Sequence, residues 1–263
     1  MSRPYDAIAT YYHMMFPYRE DLAFWAALAS GYGEPILEIA CGTGRVACHL
    51  ASLGLKTTGI DLSATMLSEA ARRASELKAV NGLLDFQQHD MRDFRLDRKF
   101  RLIIAPFSCM GELGEPHDRV RAYRCCLAHL ANGGAFVVDC SFHGRGPDKA
   151  WGRQIPSDVL LYRGTFPDPE DPHSSIQILK SEKIDETTLV EEMTFLVDHI
   201  DAEGHVRRAT HLITLHFALP EQTRAELLEA GFTNVEVFGG YGREPLYAPS
   251  LMGKGRQIFF ASR

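Results

Sequence analysis

No stretch of the 263 residues is apolar for long enough to span a membrane. The first residues, Met1-Ser2-Arg3-Pro4-Tyr5-Asp6, lack the apolar core of a secretory signal. Positive charge is in deficit: 28 Lys and Arg stand against 34 Asp and Glu, for a net charge of −6. That balance argues against a broad nucleic-acid footprint and leaves only a local basic patch open. The six cysteines, at 41, 48, 109, 125, 126 and 140, include no Cys-x-x-Cys pair. Several sit in apolar surroundings, so they read as reduced core thiols rather than disulfides or a zinc site, and no metal is expected. Internal repeats, low-complexity tracts and a clear inter-domain linker are also missing. What is left is a globular chain expected in the cytoplasm, with an ordinary 45% apolar and 24% charged content. Its length suits one domain, or one domain with a smaller insertion.

The strongest local signal is Pro35-Ile36-Leu37-Glu38-Ile39-Ala40-Cys41-Gly42-Thr43-Gly44-Arg45. A short apolar run, fit for a buried parallel strand, breaks at Gly-x-Gly and enters a helical pattern. This brings bare backbone close to a ligand at a helix N-terminus. Glu38 lies inside the apolar run, where a charge is costly unless it meets a partner.

Strands are predicted at 36–40, 56–61, 84–89, 100–106 and 135–140, with helices over 45–53, 63–77 and 116–130 between them. This alternation predicts an α/β fold with a doubly wound parallel sheet. Residues 1–34 read as a helical cover divided by Pro17, either plain packing or a cap lining a pocket. Residues 35–140 form the core. Residues 141–220 lose the helical pattern and read as an inserted antiparallel meander, with runs at 158–162, 176–184, 189–200 and 206–217. Its apolar side must be buried on the main sheet, a partner subunit, or both. The α/β pattern returns over 221–263 with a helix and two last strands, making a seven-stranded, mostly parallel, Rossmann-like sheet.

In such a sheet ligands bind at the carboxyl ends of the strands, beside strand one. Those ends carry Gly42 and Gly44, Asp61, Asp90 and Phe107-Ser108. An acid such as Asp61 ending strand two can accept both hydroxyls of a ribose. Asp90 can bind an exocyclic amine while Met91, Leu62 and Met66 cover an adenine ring.

These residues resemble class I S-adenosylmethionine-dependent methyltransferases. Glu38-Ile39-Ala40-Cys41-Gly42-Thr43-Gly44 is similar to their first motif, Gly59-Ile60-Asp61-Leu62-Ser63 to their second, and Gln88-His89-Asp90-Met91-Arg92-Asp93-Phe94 to their third. Tyr5-Asp6-x-Ile8-Ala9-x-x-Tyr12 resembles a cofactor-covering N-terminal helix. The resemblance implies S-adenosylmethionine as cofactor and S-adenosylhomocysteine as product. It assigns cofactor contacts to Tyr12, Arg19, Glu38, Ala40, Cys41, Gly42, Gly44, Asp61, Leu62, Met66, Asp90, Met91, Arg92 and Phe107. A looser likeness over 211–241 points to small-molecule members that methylate amino sugars and other natural-product amines.

Methyl transfer from a sulfonium is an in-line displacement that needs alignment and water exclusion, and a base only where the nucleophile must lose a proton. Tyr12, His13 and His216 are the catalytic candidates, with Ser108, His143, His211 and Tyr241 as acceptor contacts. His143, His211 and Tyr241 are further possible bases. The expected partner is a small molecule methylated on N, O or C. Nucleic acid and membrane are not expected, and a homodimer could form through the meander. Two alternatives stand beside this reading: an NAD-dependent oxidoreductase, from Gly42-x-Gly44-x-x-Ala47, and a non-catalytic S-adenosylmethionine-binding protein.

Overall fold

A computed structural model describes residues 5–77, 82–141, 159–169, 171–246 and 255–263. Strand β1 (Ile36–Ile39) is buried throughout, and its residues alternate between two cores. Beside it run β2 (Thr57–Asp61), β3 (Leu84–Gln88), β4 (Phe100–Ala105) and β5 (Leu130–Ser141), all parallel. The antiparallel β11 (Arg256–Ser262) pairs with β5, and β10 (Asn234–Phe238) pairs with β11. The sheet order is β10-β11-β5-β4-β1-β2-β3. Strand order reverses between β1 and β4, which opens a crevice at their carboxyl ends.

Helices α2 (Leu22–Tyr32) and α3 (Arg45–Ser52) press Trp25, Leu28, Val46 and Leu50 onto Ile36, Leu102, Ile104 and Val137. Helices α5 (Pro116–His129) and α6 (Pro220–Ala230) bring Tyr123, Cys126 and Leu227 to the opposite face, against Leu37, Ile39, Ile103 and Phe136. Each large apolar side chain so buried contributes about 1.5–3 kcal/mol. Helix α4 (Ala64–Ser75) starts at Ser63, whose hydroxyl accepts from the Met66 amide at 3.0 Å. Helix α6 ends at Gly231 in the left-handed region, as the sequence predicts. All six cysteines are free thiols, and no helix among the described residues is long and apolar enough to cross a membrane.

Two boundaries differ from expectation. Strand β5 begins at Leu130 rather than at residue 135, because Asn132-Gly133-Gly134 forms an irregularity inside the strand instead of a stop before it. A Cβ on Gly134 would lie 2.8 Å from the Arg101 carbonyl, so glycine permits the close approach of the two chains. The first meander strand, β6, is Leu161–Pro167 rather than 158–162.

The meander is a separate sheet ordered β6-β7-β8-β9, with β7 at Ser175–Asp185, β8 at Val190–Ile200 and β9 at Val206–His216. Its apolar face meets the N-terminal cover, a 3₁₀ turn (Asp6–Tyr11) running into α1 (Tyr12–Met15). Ile8, Ala9 and Met15 pack there with Ile176, Ile178, Phe195, Val197 and Ile213, and with Met66 of α4. The cover is thus clamped between the meander and the core, above the crevice.

Candidate functional site

The chain leaves β1 through three alternate left-handed residues, Ala40 (φ 50°), Gly42 (φ 54°) and Gly44 (φ 72°). Glycine suits the last two positions for different reasons. A Cβ on Gly42 would meet nothing within 4 Å and would project into a cradle, whereas one on Gly44 would lie 2.8 Å from the Phe86 ring. The Gly42 amide donates to Asp61 Oδ2 and the Ser63 amide to Asp61 Oδ1, both at 2.8 Å. Two backbone donors therefore fix the carboxylate at the end of β2.

Around this point lies a cavity of about 390 Å³. Ala40, Gly42, Asp61 and Asp90 line its polar side, with Leu62, Met66 and Met91 as apolar walls, and Tyr5 and Tyr12 from the cover. Arg92, also in the lining, donates to Asp90 (2.6 Å) and to Asp118 (2.9 Å), and its guanidinium holds the Asp90 carboxyl below the usual range. Tyr5 donates to Glu112 across the cavity, and Ser63 donates to Asp6 of the cover. Glu112 is exposed at the cavity mouth, and the protein packed around it pushes its carboxyl up to about 7. Burial, reinforced by Glu112, raises the Tyr12 hydroxyl pKa, so Tyr12 keeps its proton and is able to donate.

Phe16, Phe107, Met193 and Leu215 line this cavity and also a second one of about 860 Å³. They form the junction between the two spaces. Phe107 and Ser108 both sit in the left-handed region, at φ 59° and 61°, a costly pairing for residues with side chains. Asp139, fully buried at the end of β5, holds them in place. Its Oδ2 accepts from the Phe107 amide (3.2 Å) and from Tyr241 Oη (2.8 Å), and its backbone oxygen accepts from the Ser108 amide (2.9 Å). Arg256 binds both carboxylate oxygens, at 2.6 and 2.9 Å. Ser108 Oγ accepts from the Ser141 amide at 2.8 Å.

The two cavities thus gather Tyr12, Ala40, Gly42, Asp61, Leu62, Met66, Asp90, Met91, Arg92 and Phe107 around the smaller space, and Phe107, Ser108 and Tyr241 around the larger. Other candidates fall outside. Glu38 is buried under the loop, where its Oε2 accepts from the Ala47 amide at 2.7 Å; it holds the start of α3 and does not line the cavity. Cys41 points inward, its sulfur 2.8 Å from where a Gly59 Cβ would stand. Arg19 is exposed; Arg45, paired with Asp21, and Arg256, in the lining of the larger cavity, both lie over the Tyr18 and Phe107 rings.

The candidate histidines His13, His211 and His216 also fall outside the cavity linings, whereas His89, next to Asp90, lines the smaller cavity. His13 is exposed, beside Arg72 and Arg73 of α4. His216 is packed behind the wall, its Nε2 3.3 Å from a Gly114 Cβ position. His211 stands opposite Phe195 within the meander. Tyr241 is no base: burial and the adjoining Asp139 charge raise its hydroxyl pKa. His143 lies outside the described residues.

The residues missed by sequence reading are Asp139, Arg256, Tyr18, Glu112 and a charged group on the meander: Lys180, Glu182 and Glu191. Asp139 carried the same signal as Glu38, an acid within an apolar strand. The three meander residues fall in the apolar register of β7 and β8 (Ile176, Ile178 and Ile184; Leu189, Met193 and Phe195), which is itself a signal.

Residues 36–134 match a family model described as a methyltransferase domain. The chain is 36% identical over 104 residues to dTDP-3-amino-3,4,6-trideoxy-alpha-D-glucopyranose N,N-dimethyltransferase of Streptomyces venezuelae, covering 40% of this chain and 41% of that one. It is 34% identical over 119 residues to dTDP-3-amino-3,6-dideoxy-alpha-D-glucopyranose N,N-dimethyltransferase of Streptomyces fradiae, covering 45% and 44%. The chain spans less than half the length of these curated relatives. Among solved structures it resembles a methyltransferase from Streptomyces caelestis (TM-score 0.71, 21% identity, 93% and 90% of the two chains). It also resembles a sugar N-methyltransferase from Streptoalloteichus sp (TM-score 0.71, 22% identity, 96% and 92%). Residues 36–134 therefore resemble a methyltransferase domain, in a chain that shares the fold of these solved structures along most of its length.

Proposed function

We propose that this chain transfers a methyl group from S-adenosylmethionine to a nitrogen of a small-molecule acceptor, an amino sugar of the kind named for its relatives. One observation carries the reading. A strand-end carboxylate, Asp61, fixed by the Gly42 and Ser63 amides, faces a cavity that opens at Phe16, Phe107, Met193 and Leu215 into a larger one. The smaller cavity suits the cofactor: its acids Asp61 and Asp90 can take the ribose hydroxyls and adenine amine, with Leu62, Met66 and Met91 against the ring. The open space at Gly42 lets a ligand lie against bare backbone.

When bound, S-adenosylmethionine supplies a methyl group already activated on a sulfonium. The protein's task is alignment and exclusion of water. The four junction residues are apolar and come from the cover, the loop after β4, β8 and β9, so they can keep the transfer path dry. Tyr12, protonated and in the lining of the smaller cavity, can donate a hydrogen bond on the cofactor side. His89 lines the smaller, cofactor-side cavity, and no histidine among the described residues lines the larger one. An amine delivered neutral needs no base for attack, which agrees with that lining. The 860 Å³ space is adequate for an acceptor of drug size or larger. Residues 5–34 would act as cover and 159–217 as the acceptor wall.

Calorimetry with S-adenosylhomocysteine and with NAD tests the cofactor, and transfer of labelled methyl to dTDP-3-amino-3,6-dideoxy-alpha-D-glucopyranose tests the reaction. Binding of NAD without S-adenosylhomocysteine would return the oxidoreductase reading. Binding of S-adenosylhomocysteine with no turnover on any amine or hydroxyl compound would leave a non-catalytic cofactor-binding protein.

A further inference from the structure

The smaller cavity holds a surplus of acid. Five carboxylates line it, from Asp61, Asp90, Glu112, Glu115 and Asp118, against one guanidinium, Arg92, and one imidazole, His89. Arg92 is taken up by Asp90 and Asp118, which it bridges at 2.6 and 2.9 Å. Among the described residues Glu112 has no ion-pair partner. The group that meets it is the Tyr5 hydroxyl, which burial keeps protonated and neutral. A lining with this balance favours a ligand that brings positive charge.

The place of Glu112 in the fold is informative. It ends the 3₁₀ turn Cys109–Glu112, which follows the left-handed pair Phe107-Ser108. The Gly111 amide closes this turn on the Ser108 carbonyl at 2.8 Å. The turn is pressed onto β9: a Cβ on Gly111 would lie 3.4 Å from the His216 carbonyl and 3.4 Å from the Leu215 Cβ. Leu215 is one of the junction residues, so Glu112, next in sequence to that contact, stands at the junction end of the smaller cavity. The titratable groups that face it are Tyr5 and Tyr12 of the cover, Asp61 at the end of β2 and Cys109 of its own turn. His216 of β9 packs against Gly114, two residues further on. Burial keeps the protons on both tyrosines and on Cys109, which leaves Asp61 as the charged member of the facing group. Packing around Glu112 and the like charge of Asp61 push its carboxyl up to about 7, against the Tyr5 bond, which favours the ionised form. Two like charges drawn to one cavity repel, and a cation in that cavity attracts both.

We infer that Glu112 makes the smaller cavity selective for the charged methyl donor over its uncharged product. This rests on the proposed methyl transfer and adds a residue that tells the two forms of the cofactor apart. S-adenosylmethionine and S-adenosylhomocysteine share their adenine, ribose and amino-acid groups. They differ at sulfur, which is a cationic sulfonium in the first and a neutral thioether in the second. Hydrogen bonds to the shared groups hold both alike. A carboxylate at the junction end attracts the sulfonium and gains nothing from the thioether. The same side chain that helps to load the donor therefore loses its hold once the charge has left sulfur, and the product is free to leave.

Calorimetry with three ligands tests this, at a pH above about 7 where Glu112 is ionised. The ligands are S-adenosylmethionine, S-adenosylhomocysteine and sinefungin, in which an ammonium-bearing carbon replaces the sulfonium. Glu112→Gln keeps the shape of the side chain and an acceptor for Tyr5 while removing the charge. It should weaken S-adenosylmethionine and sinefungin by about 3- to 10-fold, the size of one charge pair at a partly solvated site, and leave S-adenosylhomocysteine within about twofold. Melting temperature of the free variant checks that it is folded. Equal weakening of all three ligands would show a structural role and overturn the assignment, as would three unchanged affinities. If Glu112→Gln does not fold, wild type is titrated in rising salt. Its affinity for S-adenosylmethionine should then fall relative to that for S-adenosylhomocysteine as screening grows, and a level ratio would overturn the assignment. Failure of wild type to bind any of the three would instead remove the methyltransferase reading itself.

Discussion

Asp61 does two jobs with one carboxylate: it accepts from the Gly42 and Ser63 amides, which sets the loop, and it lines the cavity. Asp61→Ala should weaken S-adenosylhomocysteine binding by about 1–3 kcal/mol through lost charge-assisted hydrogen bonds. Unchanged affinity by calorimetry would take Asp61 out of the site. Glu38 is a different kind of acid. Burial, partly offset by Arg45 and the Ala47 amide, pushes its carboxyl up to about 8 from an ordinary 4.5. Across that window the folded chain holds a proton that the unfolded chain has released, so stability falls as pH rises from about 4.5 to about 8. Glu38→Gln keeps a neutral acceptor for Ala47 and should flatten this part of the pH–stability curve. Urea titrations at pH 5 and 8 would read the change, and equal slopes for both proteins would refute it.

At the scale of elements, the βα unit from Ile36 to Ser52 depends on close packing at one glycine. Gly44→Ala would set a methyl 2.8 Å from Phe86 and 3.1 Å from the Ala70 Cβ, at a φ that alanine resists. A stability loss of about 1–3 kcal/mol by denaturant melt is expected, with weaker S-adenosylhomocysteine binding. The parallel core was legible in sequence because β1, β2 and β4 are short buried runs that end in chemistry-bearing residues. Strand β5 was less so, since Asn132-Gly133-Gly134 reads as a stop by local rules and is overridden by pairing with β4. The meander's alternation was legible, but its register hides its function. Leu189, Met193, Phe195 and Val197 announce an apolar face, and Glu191 on that same face makes sense only once a cavity is seen behind it. Which histidine faces a site could not be read at all. His211 and His216 are set by how β9 lies against the turn at Cys109–Glu112, a tertiary matter that spacing does not encode.

For the molecule as a whole, the cover is the part whose hold is most readily tested. It is fastened over the smaller cavity by Tyr5 to Glu112 and by Ser63 to Asp6, and from above by the apolar meander face. Removing both polar fastenings, by Tyr5→Phe with Asp6→Ala, should leave the fold intact and shrink the rise in melting temperature that saturating S-adenosylhomocysteine produces. A full rise in the double variant would show that packing alone closes the cover. The two sheets bring a last consequence. Among the described residues they share no paired strand, and they meet through side chains of the cover and at the Phe107–Leu215 junction. Under the proposed function, the strand ends that would seat the methyl donor and the meander strands that form part of the recipient's wall are built on separate hydrogen-bond ladders. Strands β6–β9 can accumulate changes in charge and shape, and so drift toward new recipients, while the register that seats Asp61 and the Gly42 loop is left undisturbed.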